Sequence, residues 1–412
     1  MTTDKHNKRP NVPPLRFPEF TEPWETAKLG DMTVNFSKRN KDEIEYPMYS
    51  VTNNRGFIPQ SEQFEDREMV SSDIKSYKII TKGDFAYNPA RINVGSIAKY
   101  NGDNDCMISS LYVAFRAKEQ INAEWLMQLL KTPKMNFYYN LNAEGGVRMY
   151  LFYPNFERIR TSYPSLNEQR KVAQFLDLLD HRIAVQSGLI EDLKNIKKYL
   201  MEQLFCQPKE KSPRLRLGGM SGEWKRVRLC DVVERVSTRN KTNECTRVLT
   251  IAAQYGLIDQ QEFFNKQIAS SDLTTYYLLH RGDFAYNKSY SSDYPWGAVK
   301  RLDNYDEGVL SSLYICFCPN HSIDSDFLRH YFESTKWYRG ISEISGEGAR
   351  NHGLLNMSVD DYFNTMHRFP SIEEQTCISH VLNSFDRKVL IEESILEKLR
   401  RQKSYLLNNM FI

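Results

Sequence analysis

The 412-residue chain lacks any run approaching the roughly 18 consecutive apolar residues that a membrane-spanning helix requires. Its first fourteen residues hold three prolines and no apolar signal core, so 1–14 is expected to be a flexible tail on a cytoplasmic protein with no membrane partner. Cysteine is sparse and unpatterned. The seven residues Cys106, Cys206, Cys230, Cys245, Cys316, Cys318 and Cys377 contain no Cys-x-x-Cys pair and have no histidine at zinc-ligand spacing. Reduced thiols, with neither a disulfide framework nor a metal site, are therefore expected. An excess of one charge is missing too, because a net charge of +3 neither demands nor excludes a nucleic-acid partner.

What is present is a globular composition, 41% hydrophobic and 26% charged, over a length that calls for more than one core. The chain is also duplicated. Leu15-Arg16, Trp24, Leu29, Asp31 and Arg39-Asn40-Lys41 return 200 residues later as Leu215-Arg216, Trp224, Leu229, Asp231 and Arg239-Asn240-Lys241. Gly83-Asp84-Phe85-Ala86-Tyr87-Asn88 returns unchanged as Gly282-Asp283-Phe284-Ala285-Tyr286-Asn287, and Ser109-Ser110-Leu111-Tyr112 as Ser311-Ser312-Leu313-Tyr314. Pro164, Glu168, Gln169 and Asp180 return as Pro370, Glu374, Gln375 and Asp386, and Phe205 as Phe411. Two long copies make a fused pseudo-dimer rather than a solenoid.

Each copy opens with short strand-like runs punctuated by Gly, Asn and Asp, with one helical stretch near 123–138 and 325–338, an α+β pattern. Each then changes to apolar residues three or four apart. The seam predicted for the first copy is Phe175, Leu176, Leu179, Ile183, Leu193 and Leu200. For the second it is Val381, Leu382, Phe385, Val389, Leu399 and Leu406. Helices of some 40 residues would be about 60 Å long, too long to bury a seam within one small domain, so each is expected to pack antiparallel against the other. The predicted organisation is a recognition domain at 15–163, a helix and charged linker at 164–212, a second recognition domain at 213–369 and a closing helix at 370–412.

The helices begin at Pro164-Ser165-Leu166-Asn167-Glu168-Gln169 and Pro370-Ser371-Ile372-Glu373-Glu374-Gln375. Taken alone, such a motif is ordinary helix-start chemistry, with acid and amide beside free N–H groups. Used twice, each time after a Gly-Asp-Phe-bearing α/β domain, it makes residues 15–412 resemble the specificity subunit of type I restriction-modification systems. That resemblance implies two tandem target recognition domains on an antiparallel helix pair with pseudo-twofold symmetry, reading a bipartite, asymmetric site in double-stranded DNA. It implies no catalytic site and no cofactor in this chain. Its partners would be two modification (methyltransferase) subunits that bind S-adenosylmethionine, and restriction (translocase-nuclease) subunits that use ATP and Mg. Two alternatives are a coiled-coil interaction scaffold and the recognition portion of a combined methylase-nuclease. The second is weakened because Tyr87-Asn88-Pro89-Ala90 lacks the second proline and the aromatic of an amino-methyltransferase motif, and its counterpart reads Tyr286-Asn287-Lys288-Ser289.

In a duplicated reader, scaffold positions repeat and base-reading positions diverge. The sharpest divergence follows the shared hexapeptide. The base-reading candidates are therefore Asn88, Arg91 and Asn93 in the first copy, and Asn287, Lys288, Tyr290 and Tyr294 in the second, against the simpler reading of a variable surface loop. Basic residues that match between copies suit phosphate, which is the same whatever the base. Those candidates are Arg39, Lys41, Arg239 and Lys241, with Arg148 and Arg350 after the Gly-bearing stretches at 144–146 and 346–348; solvated turn charges are the alternative.

Overall fold

A computed structural model describes residues 11–63, 74–146, 148–207, 209–252, 255–264, 272–345 and 354–412. The chain forms two compact units. The first comprises the chain through Ser187 together with Ser394–Ile412, and the second is Gly188–Glu393. The division falls inside both long helices, Leu166–Leu204 and Ile372–Asn409. It does not follow the boundaries expected near 164, 212 and 370. No helix among the described residues is long and apolar enough to cross a membrane.

Each unit is α+β around a four-stranded antiparallel sheet. In the first, the strand order is Thr33–Phe36, Val113–Ala117, Phe85–Tyr87, Ile97–Lys99. In the second it is Val233–Arg235, Ile315–Pro319, Phe284–Asn287, Ala298–Arg301. The repeated hexapeptide supplies an inner strand of each sheet. Successive side chains of a strand face opposite ways, and both faces are buried here. Phe85 and Tyr87 enter the main core of the first unit while Ala86 faces a smaller apolar cluster, and Phe284, Tyr286 and Ala285 divide in the same way. Phe85 stacks on Phe115 at 5.0 Å and Phe284 on Phe317 at 5.4 Å. Asp84 closes the preceding turn by accepting from the Thr81 N–H at 2.8 Å, as Asp283 does from His280. The four central positions of the hexapeptide therefore have structural duties.

The helical stretch expected near 123–138 is two helices, Ala123–Leu130 and Pro133–Asn142. The break lies at Thr132, whose hydroxyl caps the second helix by accepting from the Met135 N–H, with Pro133 at the first helical position. The tail expected at 1–14 is also corrected where it is described. The Trp24 N–H donates to the Asn11 carbonyl at 2.8 Å and Pro13 is buried, so residues 11–14 belong to the fold. Residues 1–10 lie outside the described set.

The Glu-Gln pair at each helix start does more than cap. Glu168 is buried and takes a two-pronged ion pair from Arg16, with Nε and Nη2 each 2.7 Å from a carboxylate oxygen, and the Trp24 indole donates to it at 3.1 Å. Gln169 accepts from the Asn122 N–H at 2.8 Å and donates to the Pro164 carbonyl at 2.9 Å. The second unit repeats the arrangement. Arg216 grips Glu374, and Gln375 joins the Asp324 N–H to the Pro370 carbonyl. The helix start is thereby tied to the incoming chain, to the helix that follows Asn122 or Asp324, and to its own proline.

The end of each long helix closes the other copy's core. Phe411 meets Trp24 and Trp125 in the first unit, and Phe205 meets Phe327 and Tyr331 in the second. In the second unit Lys194 bonds Glu393 and Lys197 bonds Asp386, so the helix segments there run antiparallel. The repeat-equivalent pair in the first unit is Lys403 with Asp180. Of the predicted seam, Leu176, Leu179, Ile183, Leu399 and Leu406 pack in the first unit's core, and Leu382 and Leu200 in the second's. Leu193, Val381, Phe385 and Val389 are half-buried. Phe175 is corrected, being 38% exposed and lying edge-on to Phe17 at 5.8 Å, outside the seam.

His330, Glu333 and Asp386 bring metal-capable atoms within 4.8 Å of one another in the second unit. Lys197 and Arg329 pair with both carboxylates, so the group is already neutralised and fastens the helix Ser325–Glu333 in place. Burial would raise the Glu333 pKa, but the His330 hydrogen bond and the Lys197 and Arg329 charges overcome it and hold the carboxyl well below its usual range.

Two stability predictions follow from these contacts. Glu168→Gln leaves Arg16 buried beside a neutral partner and should cost about 3–5 kcal/mol in denaturant unfolding, whereas the double change Arg16→Met with Glu168→Leu should recover most of it. His367 is buried between the Tyr331 hydroxyl and the Thr365 hydroxyl, and burial lowers its pKa to about 4. Below about pH 6.5 the unfolded chain takes up a proton that the folded chain refuses. Stability should therefore be full above pH 6.5 and fall by on the order of 3 kcal/mol as the pH drops to 4, a decline that His367→Asn should remove.

Candidate nucleic-acid interface

Strand register gathers most of the candidate residues at one end of each sheet. In the first unit Phe36 lies opposite Ala114 and Tyr87 opposite Val113. Three connections therefore emerge side by side: the basic turn after Phe36 that carries Arg39 and Lys41, the Ser109–Tyr112 turn before Val113, and the divergent loop after Tyr87. The second unit matches. Val236 bonds Cys316 through the backbone and Tyr286 lies opposite Ile315, which places the Arg239-Lys241 turn, the Ser311–Tyr314 turn and the second divergent loop together.

A fourth segment joins this end. The Leu151 N–H donates to the Pro89 carbonyl at 2.9 Å, and Glu144 and Tyr150 exchange backbone hydrogen bonds, so 144–150 folds back beside the divergent loop with Arg148 exposed. Gly145 is required here, at φ +141, because a Cβ would lie 2.1 Å from the Arg148 carbonyl oxygen. In the second unit the Leu355 N–H donates to the Lys288 carbonyl at 3.0 Å. Arg350 lies outside the described residues.

The candidates differ in what their side chains are free to do. Asn88 and Asn287 brace the loop, their carbonyl oxygens accepting from the Ala90 N–H at 3.0 Å and the Ser289 N–H at 2.9 Å. That bond uses the side-chain oxygen of each residue. Arg91 is exposed and its side chain makes no hydrogen bond or ion pair among the described residues. Asn93 donates to the Asn140 side chain at 3.0 Å, an exposed and replaceable contact. In the second loop Tyr290 packs against the unit's main core and acts as an anchor, while Lys288 and Tyr294 are half-buried. Gly297 closes this loop at φ +79, where a Cβ would lie 2.2 Å from the Asn287 carbonyl oxygen.

Among the basic turns, Arg39, Lys41, Arg239 and Lys241 are all exposed. The shared Asn40 and Asn240 are buried and hold the turns closed, through Ile44 and Cys245 respectively. Arg239 already donates to the Thr275 carbonyl at 2.7 Å and lies over the Tyr277 ring at 5.6 Å. Lys78 was not singled out from sequence. It lies beside Arg39 across a β-bridge, its ammonium reaches the Tyr112 carbonyl, and burial followed by the Arg39 charge lowers its pKa. Leu111 and Leu313 read as the first residues of strand-like runs, whereas the strands begin at Val113 and Ile315 and both leucines lie in exposed turns.

Two α+β units of one architecture, each presenting a divergent loop among basic turns, define a duplicated recognition protein without a catalytic constellation among the described residues. Comparison with known proteins finds relatives. Residues 21–195 match the type I restriction modification DNA specificity domain. The chain is similar to the MjaVIII specificity subunit of a type I restriction enzyme from Methanocaldococcus jannaschii, 24% identical over 96% of this chain and 92% of that one. It is also similar to the MjaX specificity subunit from the same organism, 25% identical over 54% of this chain, a match that spans 55% of that relative's length. The fold matches that of the type I restriction-modification S subunit from M. genitalium, with a TM-score of 0.56 at 13% identity over 97% of this chain and 99% of that one. Over residues 21–195 the chain is thus similar to the type I restriction modification DNA specificity domain, and over nearly its whole length to a type I specificity subunit.

Charge and geometry separate two kinds of substitution. Lys41→Gln should weaken DNA binding evenly across sequences and reduce the salt slope by about 1, whereas Arg91→Ala should change letter preference in one half-site only. Competition binding against single-base variants at two salt concentrations measures both effects.

Proposed function

We propose that this chain is the non-catalytic DNA-recognition subunit of a type I complex, each unit reading one half of a bipartite, asymmetric site. The observation that carries this reading is that the loop after the shared hexapeptide differs in length and letters between the units, at the end of a sheet whose strand order and register are the same in both. A shared scaffold with unlike reading loops yields two unlike half-sites. The long helices, each giving one half to either unit, set the number of unread base pairs.

Chemistry then belongs to partners. Two modification subunits with bound S-adenosylmethionine methylate the site, and restriction subunits supply cleavage using ATP and Mg. Such partners need apolar footholds. In the second unit Leu189, Ile196 and Tyr199 stand outward on the central helix at 40%, 47% and 63% exposure. They recur at three- to seven-residue spacing, which gives one helical face. Leu189→Lys with Ile196→Lys should leave unfolding unchanged and weaken copurification with the modification subunit.

The central test is selection from a randomised duplex library, with and without the modification subunits. The full complex should enrich a split motif with unlike halves. One continuous motif, or none from the full complex, would sink the reading.

A further inference from the structure

Leu111 and Leu313 are the two most exposed large apolar side chains among the described residues, at 78% and 76%. A single exposed leucine is ordinary. These two are the same residue of the same tetrapeptide, one in each unit. Each occupies the third position of a turn closed from the Tyr112 N–H to the Ser109 carbonyl at 3.1 Å, or from Tyr314 to Ser311 at 3.2 Å. In both turns the first serine hydroxyl accepts from the leucine N–H at 3.4 Å. The leucine is thus held out on a short, braced turn rather than on a loose loop.

Position narrows the partner. Both turns emerge beside the divergent loop, since Val113 and Ile315, which follow them, lie opposite Tyr87 and Tyr286. The loops changed in length and letter while the leucine turns did not. Whatever the leucines meet is therefore common to both half-sites and independent of their bases. Each turn also has a cation beside it, supplied differently in the two units. Lys78 reaches the Tyr112 carbonyl in the first. In the second, where Tyr277 replaces it, the Arg239 guanidinium lies over that ring at 5.6 Å. An apolar tip flanked by cations matches stacked bases flanked by phosphates, and apolar wedges at base steps are a general means of kinking a duplex.

We propose that Leu111 and Leu313 are paired wedges, each pressed into a base step of its own half-site from the groove floor, kinking the duplex while the neighbouring cations hold the backbone. This assignment rests on the DNA-reading function proposed above. It adds a sequence-independent contact that deforms the DNA.

The test uses the complex with modification subunits and the duplex it selects from the random library. The duplex carries end labels for energy transfer, to report bending, and 2-aminopurine placed at successive steps, to report unstacking. Leu111→Ala with Leu313→Ala should keep the melting temperature, the subunit assembly and the selected letters. It should also lose the bend and the 2-aminopurine signal, and bind about tenfold more weakly for each leucine. Leu111→Met with Leu313→Met should retain most of both. Selected DNA bound with unchanged bend and affinity by the alanine variant overturns the wedge and leaves the reading function standing. Loss of subunit assembly with bending intact also overturns it, by making the leucines a protein contact. A wild-type complex that selects no duplex overturns both the wedge and the function beneath it.

Discussion

The structure depends on a buried ion pair used twice, Arg16 with Glu168 and Arg216 with Glu374. An ion pair withdrawn from water recovers its desolvation cost only when its geometry is good and its remaining lone pairs are satisfied. Here the two-pronged arginine grip supplies that geometry, and in the first unit the Trp24 indole adds a further donor. The pair fixes where the incoming chain crosses the helix start. The adjacent glutamine fixes where the next helix begins. A domain attached to a long helix at three points has a defined orientation, which a reading loop carried on it requires. In the second unit the Trp224 indole nitrogen is buried without a hydrogen-bond partner, so the equivalent junction is less fully satisfied.

The compact unit is not the sequence repeat. Each repeat runs from recognition domain to helix end, but the structural unit takes the first half of its own helix and the last half of the other copy's. Phe411 and Phe205, which look like repeat termini in the sequence, are core residues of the opposite unit. The ion pairs Asp180 with Lys403 and Asp386 with Lys197 express the same exchange in charge. Neither unit can complete its core from one repeat alone, and duplication supplies the missing half.

The candidate interface follows from a division of labour within the sheet. Tyr87 and Tyr286 are buried in the main cores and Asn88 and Asn287 brace the next turn, so the chain leaves the sheet in one geometry whatever follows. Beyond that brace the sequence can vary without disturbing the strands. The cations around it stand on matched turns held by buried asparagines. Fixed turns carry what is common to any duplex, and the loop carries what distinguishes one from another.

The sequence by itself determined the duplication, the α+β units, the two long helices and the motif at their starts, because these rest on spacing and on identities that recur in register. It also located the divergent loop. It could not assign duties within that loop, since whether Asn88 reads a base or closes a turn depends on a backbone N–H two residues away in a folded geometry. Phe175 was counted in the seam, yet Val172, Leu176, Leu179 and Ile183 fill the core face of that helix and Phe175 meets Phe17 instead. Leu111 and Leu313 read as strand residues because they adjoin apolar runs, and only the turn closed at Tyr112 and Tyr314 sets them outside the sheet. Tertiary structure alone decided which half of each helix closes which core, and which turns meet at one sheet end. Both depend on contacts between residues up to several hundred positions apart, whose partners no local pattern encodes.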